Sequence, residues 1–170
     1  PLLMAISIFM QMLDATILNT ALPSIASDLH EPAFEMQMAI IAYSLSVALF
    51  IPLTAWAATK FGTLTVFRSA VATFVLGSIG CAVAPTLNAL VLARVVQGIG
   101  GAFMMPVARL AIIQAVPKQQ LLNAWNLMAT AGLVVPILGP ILGGWLVMNA
   151  SWYWIFLINI PIGLLGIIAS

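Results

Sequence analysis

Long apolar runs separated by short polar breaks make up this chain. The runs cover about residues 2–23, 36–57, 67–85, 88–113, 122–148 and 153–170. The breaks are Asp28-Leu29-His30-Glu31-Pro32, Thr59-Lys60-Phe61-Gly62, Pro85-Thr86, Pro117-Lys118-Gln119-Gln120 and Asn149-Ala150-Ser151. A helix needs about 20 apolar residues to cross a hydrocarbon core, and each run is near that length. No period-2 alternation bounded by turns recurs, which argues against a β-barrel. Lipid offers the backbone no hydrogen-bond partner, so the runs are predicted to be helices. The expected class is an all-α membrane protein with a bundle of six transmembrane helices.

Composition agrees with the pattern. Of 170 residues, 64% are hydrophobic, and only five are basic and four acidic. About a quarter of a soluble domain is charged, so nine charges could not cover a water-facing surface. The lipid bilayer is the first partner implied, and no basic patch points to nucleic acid. Cys81 stands alone in an apolar run, which excludes an internal disulfide and a cysteine metal site. His30 has no second histidine with which to form a ligand set. No phosphate-binding glycine loop and no nucleophile–histidine pair occurs. We therefore expect no enzyme activity, no metal and no cofactor. Pro1 leads straight into an apolar run and Ile160 to Ser170 are still apolar, so the chain reads as part of something longer.

Basic residues set the expected orientation. Lys60, Arg68 and Lys118 lie at the second and fourth breaks, whereas Asp28, Glu31 and Glu35 lie at the first. With the second and fourth breaks cytoplasmic, the amino terminus is cytoplasmic too. Trp56 and Trp125 then fall near the inner interface, and Trp145, Trp152 and Trp154 near the outer one. Interfacial tryptophan is the expected pattern.

The charges inside the runs are the candidate chemistry. Arg94 sits in the fourth run, at a cost of about 2.5–3.5 kcal/mol on insertion scales. Such a charge persists where it faces a water-filled cavity or a partner. On a helix, Arg94, Gln97, Gly98, Gly101, Met105 and Arg109 fall near one stripe, expected to face something wet. The first run carries Gln11, Asp14, Thr16, Asn19 and Thr20, and should pack among other helices beside that cavity. Asp14 lies about 12 residues, ~18 Å, from the inner end of its run, and Arg94 about seven residues, ~10 Å, from the outer end of its own. These sum to ~28 Å against a core of ~30 Å, so the two charges can share a height. Arg109 lies ~22 Å further in, as an interfacial anchor or a gating residue. The fifth run holds Gly132, Pro136, Gly139, Pro140, Gly143 and Gly144. It is expected to be kinked and closely packed, a candidate hinge.

Several stretches together resemble the major facilitator superfamily, specifically its fourteen-span drug–proton antiporters of the EmrB/QacA type. Leu13-Asp14-Ala15-Thr16-Ile17-Leu18-Asn19-Thr20-Ala21-Leu22-Pro23 is similar to that family's first-helix motif. Leu92 to Gly101 resembles its fourth-helix motif, and Leu138-Gly139-Pro140-Ile141-Leu142-Gly143-Gly144 its fifth-helix antiporter motif. Trp152 to Gly163 resembles the start of its sixth helix. The resemblance implies the amino-terminal half of a transporter of the inner (plasma) membrane. That transporter would export hydrophobic drugs or other small molecules in exchange for protons, working with a carboxy-terminal half. Asp14 and Arg94 would carry proton coupling, and Gln11, Asn19, Gln97, Gly101 and Met105 would line the substrate cavity. Pro136, Gly139, Pro140, Gly143, Gly144, Lys60, Gly62 and Arg109 would serve gating.

The loop between the second and third helices departs from the family pattern. Lys60 and Gly62 match it, but Thr59 replaces its aspartate and Thr63-Leu64 its basic pair. Two other readings therefore stay open: a transport-impaired homologue with a sensor or assembly role, and a same-fold transporter of a specific metabolite. Orientation can be tested at once. Cysteine placed at His30 or Asn149 should react with an impermeant thiol reagent from outside the cell, and cysteine at Lys118 should not. The reverse labelling would overturn the orientation and the depth estimate with it.

Overall fold

The structure, a computed structural model, describes residues 2–170. It is built of helices, with no strand among the described residues. Helix α1 spans Leu2–Leu29, α2 Gln37–Phe50, α3 Thr54–Phe61, α4 Thr63–Ala82, α5 Leu87–Ala115, α6 Leu121–Asn149, α7 Trp154–Leu157 and α8 Asn159–Ala169. Single 3-10 turns, Ile51–Leu53 and Lys118–Gln120, precede α3 and α6. Five stretches are long and apolar enough to cross a membrane: Leu2–Leu29, Gln37–Phe61, Thr63–Ala82, Leu87–Ala115 and Lys118–Asn149. The sixth, Trp154–Ala169, is apolar but shorter.

Proline accounts for two interruptions inside the expected runs. Pro52 lacks the N–H that would bond the Ala48 carbonyl, and α2 tightens there into the 3-10 turn before α3 resumes the same direction of travel. Pro161 likewise leaves the Leu157 carbonyl without its helical donor, and the sixth run divides between α7 and α8 at Ile158. Pro23 stops nothing: α1 runs six residues beyond it to Leu29. Pro136 and Pro140 also lie inside one continuous helix. Packing neighbours hold such helices together in lipid even where a donor is missing. The second break is narrower than expected. Only Gly62 separates α3 from α4, with φ of +85°, a conformation that favours glycine.

Helix α5 is the hub, packing on both α4 and α2, while α1 packs on α6 and α8 bridges α1 and α4. Small residues let these backbones approach. Gly77 and Gly100 close the α4–α5 contact, against the Gln97 and Phe74 backbones respectively. Gly98 closes the α5–α2 contact against Tyr43 and Ser46. Gly139 and Gly143 of α6 lie against Thr16 and Ile17 of α1. The opposite faces stay apolar and exposed: Met38, Ile41, Leu45 and Leu49 on α2, and Leu133, Ile137, Ile141 and Trp145 on α6. Helix spacing of i, i+3, i+4 puts each set on one stripe.

Two buried apolar clusters fill the bundle. One gathers Leu13 to Ala26 of α1 with Ala39, Cys81, Leu90, Trp152 and Phe156. The other gathers Met4, Ile8 and Met10 with Phe67, Phe74, Met104, Val107 and Ile112. The buried polar residues Asp14, Ser78, Arg94, Gln97 and Asn159 lie on α1, α4, α5 and α8, near where the two clusters adjoin.

The α4–α5 contact yields a prediction. A Cβ at Gly77 would fall 2.5 Å from the Gln97 backbone nitrogen, which cannot swing aside. Gly77→Ala should therefore force the helices apart and cost roughly 1–3 kcal/mol, seen as a lower unfolding temperature in detergent. Gly144→Ala, with nothing within 4 Å of the added carbon, should unfold like the wild type. Equal unfolding temperatures for all three would refute this account of the packing.

Candidate functional site

The polar layer is a closed network centred on one carboxylate. Arg94 Nη1 donates to Asp14 Oδ2 at 2.7 Å, forming an ion pair whose side chains are 2% and 1% exposed. It is the sole ion pair among the described residues. The other carboxylate oxygen is also engaged: Gln97 Nε2 donates to Asp14 Oδ1 at 2.8 Å. Both oxygens of an acid on α1 are thus held by two side chains of α5. Arg94 and Gln97 are three residues apart, so they project from one face of their helix.

The network is knitted further on each side. Arg94 Nη1 also donates to Gln97 Oε1 at 2.7 Å, and Arg94 Nε to the Ala39 carbonyl of α2 at 3.4 Å. The guanidinium lies over the Tyr43 ring, 4.3 Å from its centroid, a cation–π contact strengthened by desolvation. Gln97 Nε2 donates to Ser78 Oγ at 2.8 Å, and Asn159 Nδ2 to the same oxygen at 3.1 Å. The Cys81 thiol donates weakly to Gln97 Oε1 at 3.7 Å. The Gln97 amide therefore has one orientation that works. Reversing it would set its NH2 against the guanidinium and its oxygen against the carboxylate.

Burying two charges costs several kcal/mol per ion, recovered when the pair is short and its remaining groups are bonded. That condition holds around Asp14. Two buried polar atoms stand outside it: Gln11 Nε2 and Asn159 Oδ1 have no protein partner. Gln11 lies three residues before Asp14, on the same side of α1.

The other candidate residues divide among three settings. Gln97 and Gly101, expected at a cavity wall, are buried: Gln97 in the network, Gly101 beneath the Tyr43 hydroxyl. The part of the α5 stripe from Arg94 to Gly101 thus faces polar side chains and a packed helix instead of water. Asn19 is exposed and bonds back to the Ala15 carbonyl at 2.9 Å. Met105 and Arg109 line a cleft of about 360 Å³ between α1, α5 and α6, with Met12, Trp125 and Met128 among its other walls. Pro136, Gly139, Pro140 and Gly143 lie within α6, the two glycines against α1, while Gly144 meets nothing within 4 Å. Lys60 Nζ sits over the Trp56 and Phe61 rings, at 5.0 and 5.4 Å from their centroids. Beside it the Thr59 hydroxyl donates back to the Ala55 carbonyl, and the Thr63 hydroxyl to Gln114 Oε1 at 3.0 Å.

Sequence reasoning missed Tyr43, Ser78 and Asn159. Ser78 and Asn159 left a signal, each being a polar residue inside an apolar run. Tyr43 left none, because a tyrosine in a membrane helix is ordinary unless its neighbour across the interface is known.

Residues 4–170 match the sequence profile of the Major Facilitator Superfamily. A Haemophilus influenzae protein named "Probable transport protein HsrA" is 83% identical over 166 residues, 98% of this chain and 36% of that protein. Proteins named "Putative multidrug resistance protein MdtD" are 50% identical over 168 residues in both Salmonella typhi and Escherichia coli O1:K1 / APEC. Those matches cover 99% of this chain and 36% of each relative. The chain thus spans about a third of the length of the relatives it matches. With six helical stretches, a buried acid–arginine pair joining the first and fourth of them, and a profile match over nearly its whole length, this multi-pass membrane chain belongs to the major facilitator superfamily.

Proposed function

We propose that this chain is the amino-terminal bundle of a proton-coupled antiporter that exports hydrophobic drugs or other small molecules across the inner (plasma) membrane. Its amino terminus is cytoplasmic in this reading. The observation that carries it is the double engagement of Asp14, Oδ2 by Arg94 and Oδ1 by Gln97. One titratable proton then governs one helix–helix linkage. Ionised, Asp14 accepts from both α5 side chains and locks α1 to α5. Protonated, it loses the charge that Arg94 faces, and one oxygen becomes a donor turned toward donors.

The magnitudes suit a switch. Uncoupling a buried ion pair costs about 3–5 kcal/mol. Driving a two-state equilibrium from 1:99 to 99:1 takes about 5.5 kcal/mol, and one charge moved through 100 mV supplies about 2.3 kcal/mol. A proton delivered down its gradient to Asp14, together with bound substrate, is therefore of the right size to bias which way the bundle faces. Transport by alternating access needs a second bundle rocking against this one around a shared site. The exposed apolar stripes of α2 and α6 and the remaining two thirds of the relatives' length leave room for it. The names of the relatives support transport, and drug resistance in particular, as the direction of the reading.

A second reading, a homologue with a sensor or assembly role, draws on the loop around Gly62. Thr59 and Thr63 make uncharged hydrogen bonds there, to Ala55 and Gln114, where family members carry charges. Transport of one specific metabolite would leave the same proton switch in place, and a substrate screen separates it from drug export.

The test uses the complete protein in inverted membrane vesicles, with substrate-driven proton release followed against pH. Asp14→Asn keeps the size and removes the titratable proton, so coupled export should fall by roughly 10- to 100-fold. Arg94→Lys keeps charge but loses the fork of donors and should be impaired instead of silent. Arg94→Ala leaves a buried carboxylate unpaired and should lower stability by about 3–5 kcal/mol. Export by Asp14→Asn at the wild-type rate with unchanged pH dependence would make Asp14 a structural residue and sink the proposal. Wild-type protein that moves no substrate under a proton gradient would favour the sensor reading.

A further inference from the structure

We infer that the cleft between α1, α5 and α6 binds lipophilic organic anions: an aromatic or aliphatic body bearing one carboxylate, sulfonate or comparable acidic group. The inference rests on the transporter reading for its purpose but not for its chemistry. The cleft holds about 360 Å³, within the range that admits a drug-sized ligand. Its walls include Met12, Met105 and Met128, the Trp125 indole and the Arg109 side chain. Three thioethers form a polarisable, adaptable wall that repacks around different apolar shapes. The indole adds a flat stacking face.

Charge decides the class. Arg109 is exposed, and no carboxylate lies within ion-pair distance of it among the described residues. No acidic residue lines the cleft. The nearest acid on α1, Asp14, is already neutralised by Arg94. A ligand entering the cleft therefore meets one uncompensated guanidinium against apolar walls. An anion gains a charge-assisted, bidentate partner there. A cation meets like charge without a counter-ion among the residues that line the cleft. Clefts of similar size elsewhere differ in this respect. The one between α3, α4 and α5, lined by Trp56, Phe61 and Phe103, has no charged side chain. Nor does the one lined by Thr63, Gln114 and Ala169.

A matched set of probes tests the inference: naphthalene-2-sulfonate (anionic), naphthalene-2-sulfonamide (neutral and of the same shape) and N-methylquinolinium (cationic). Equilibrium binding of each to the purified complete protein is measured for the wild type, Arg109→Gln, Arg109→Lys and Met105→Ala. The sulfonate should bind the wild type at least about tenfold more tightly than either other probe, the worth of one charge-assisted bond. Arg109→Gln should erase that preference while leaving the sulfonamide unchanged, and Arg109→Lys should keep most of it. Met105→Ala should weaken sulfonate and sulfonamide alike. Equal wild-type affinity for the three probes would overturn the inference. So would an Arg109→Gln variant that keeps the sulfonate preference, which would make Arg109 an interfacial anchor for lipid phosphate. Proton-driven export of the cation with no anion preference would sink this inference alone. An anion preference without proton-driven flux would uphold it and sink the transporter reading.

Discussion

A buried charge has to be answered, and much of this bundle can be understood as the answer to Arg94. The residue is 2% exposed within a structure whose other interior is almost wholly apolar. Its guanidinium is met by a carboxylate from α1, an amide from its own helix, a carbonyl from α2 and a tyrosine face from α2. Remove any of these and a donor or a charge is left without a partner in low dielectric. The arginine thus fixes the relative positions of α1, α2 and α5 more sharply than apolar contact could. Hydrophobic packing tolerates sliding by fractions of an ångström, whereas a bond of 2.7 Å between charged groups does not.

The glycines of α4 and α5 follow from the same constraint. Side chains as short as Ser78 and Gln97 can meet only if their helices come close. Gly77 lies against the Gln97 backbone, and Gly98 against Tyr43 and Ser46. Close approach excludes both lipid and water from the polar layer, which strengthens every bond inside it. The two apolar clusters on either side complete the seal. The α1–α6 contact uses Gly139 and Gly143 in the same manner but carries no polar bond between the helices, only Thr16 and Ile17 against the glycines. One glycine-lined interface therefore tightens a charge network, and the other is a smooth surface.

Much of the fold was legible, because lipid leaves the backbone few choices. Run lengths and break positions give the helices to within a few residues in most cases. Two differences fall at prolines: α1 runs past Pro23 to Leu29, beyond the apolar run of about 2–23, while Pro161 divides the sixth run between α7 and α8. Whether a missing backbone bond breaks a helix depends on what packs beside it, and one chain read linearly does not contain that. The acid–arginine pair was legible from depth alone, since two intramembrane charges of opposite sign at one height have few other partners. Its closure was not. Gln97 and Gly101 were placed at a wet wall because they share a stripe with Arg94, yet that stripe faces α2, α4 and Asp14. Helical periodicity says which residues share a face, not whether water or another helix lies opposite.

The two arginines of α5 show how much the opposite face matters. They share a residue type, a helix and nearly a stripe, fifteen residues apart. Arg94 meets α1 at Asp14; Arg109 lines a cleft to which α1 contributes Ile8 and Met12, and α6 Met128 and Trp125. The first charge is consumed inside the protein and makes no demand on a ligand. The second has nothing within the described bundle to consume it, so its field extends into the cleft it lines. A helix that neutralises one cation internally and leaves another unanswered has separated two tasks along its length. On the readings proposed above, the paired end responds to protons and the unpaired end discriminates among solutes. Such separation lets substrate chemistry change at Arg109 and its methionine neighbours without disturbing Asp14. That is how a fold whose helices are fixed by one ion pair could serve different solutes.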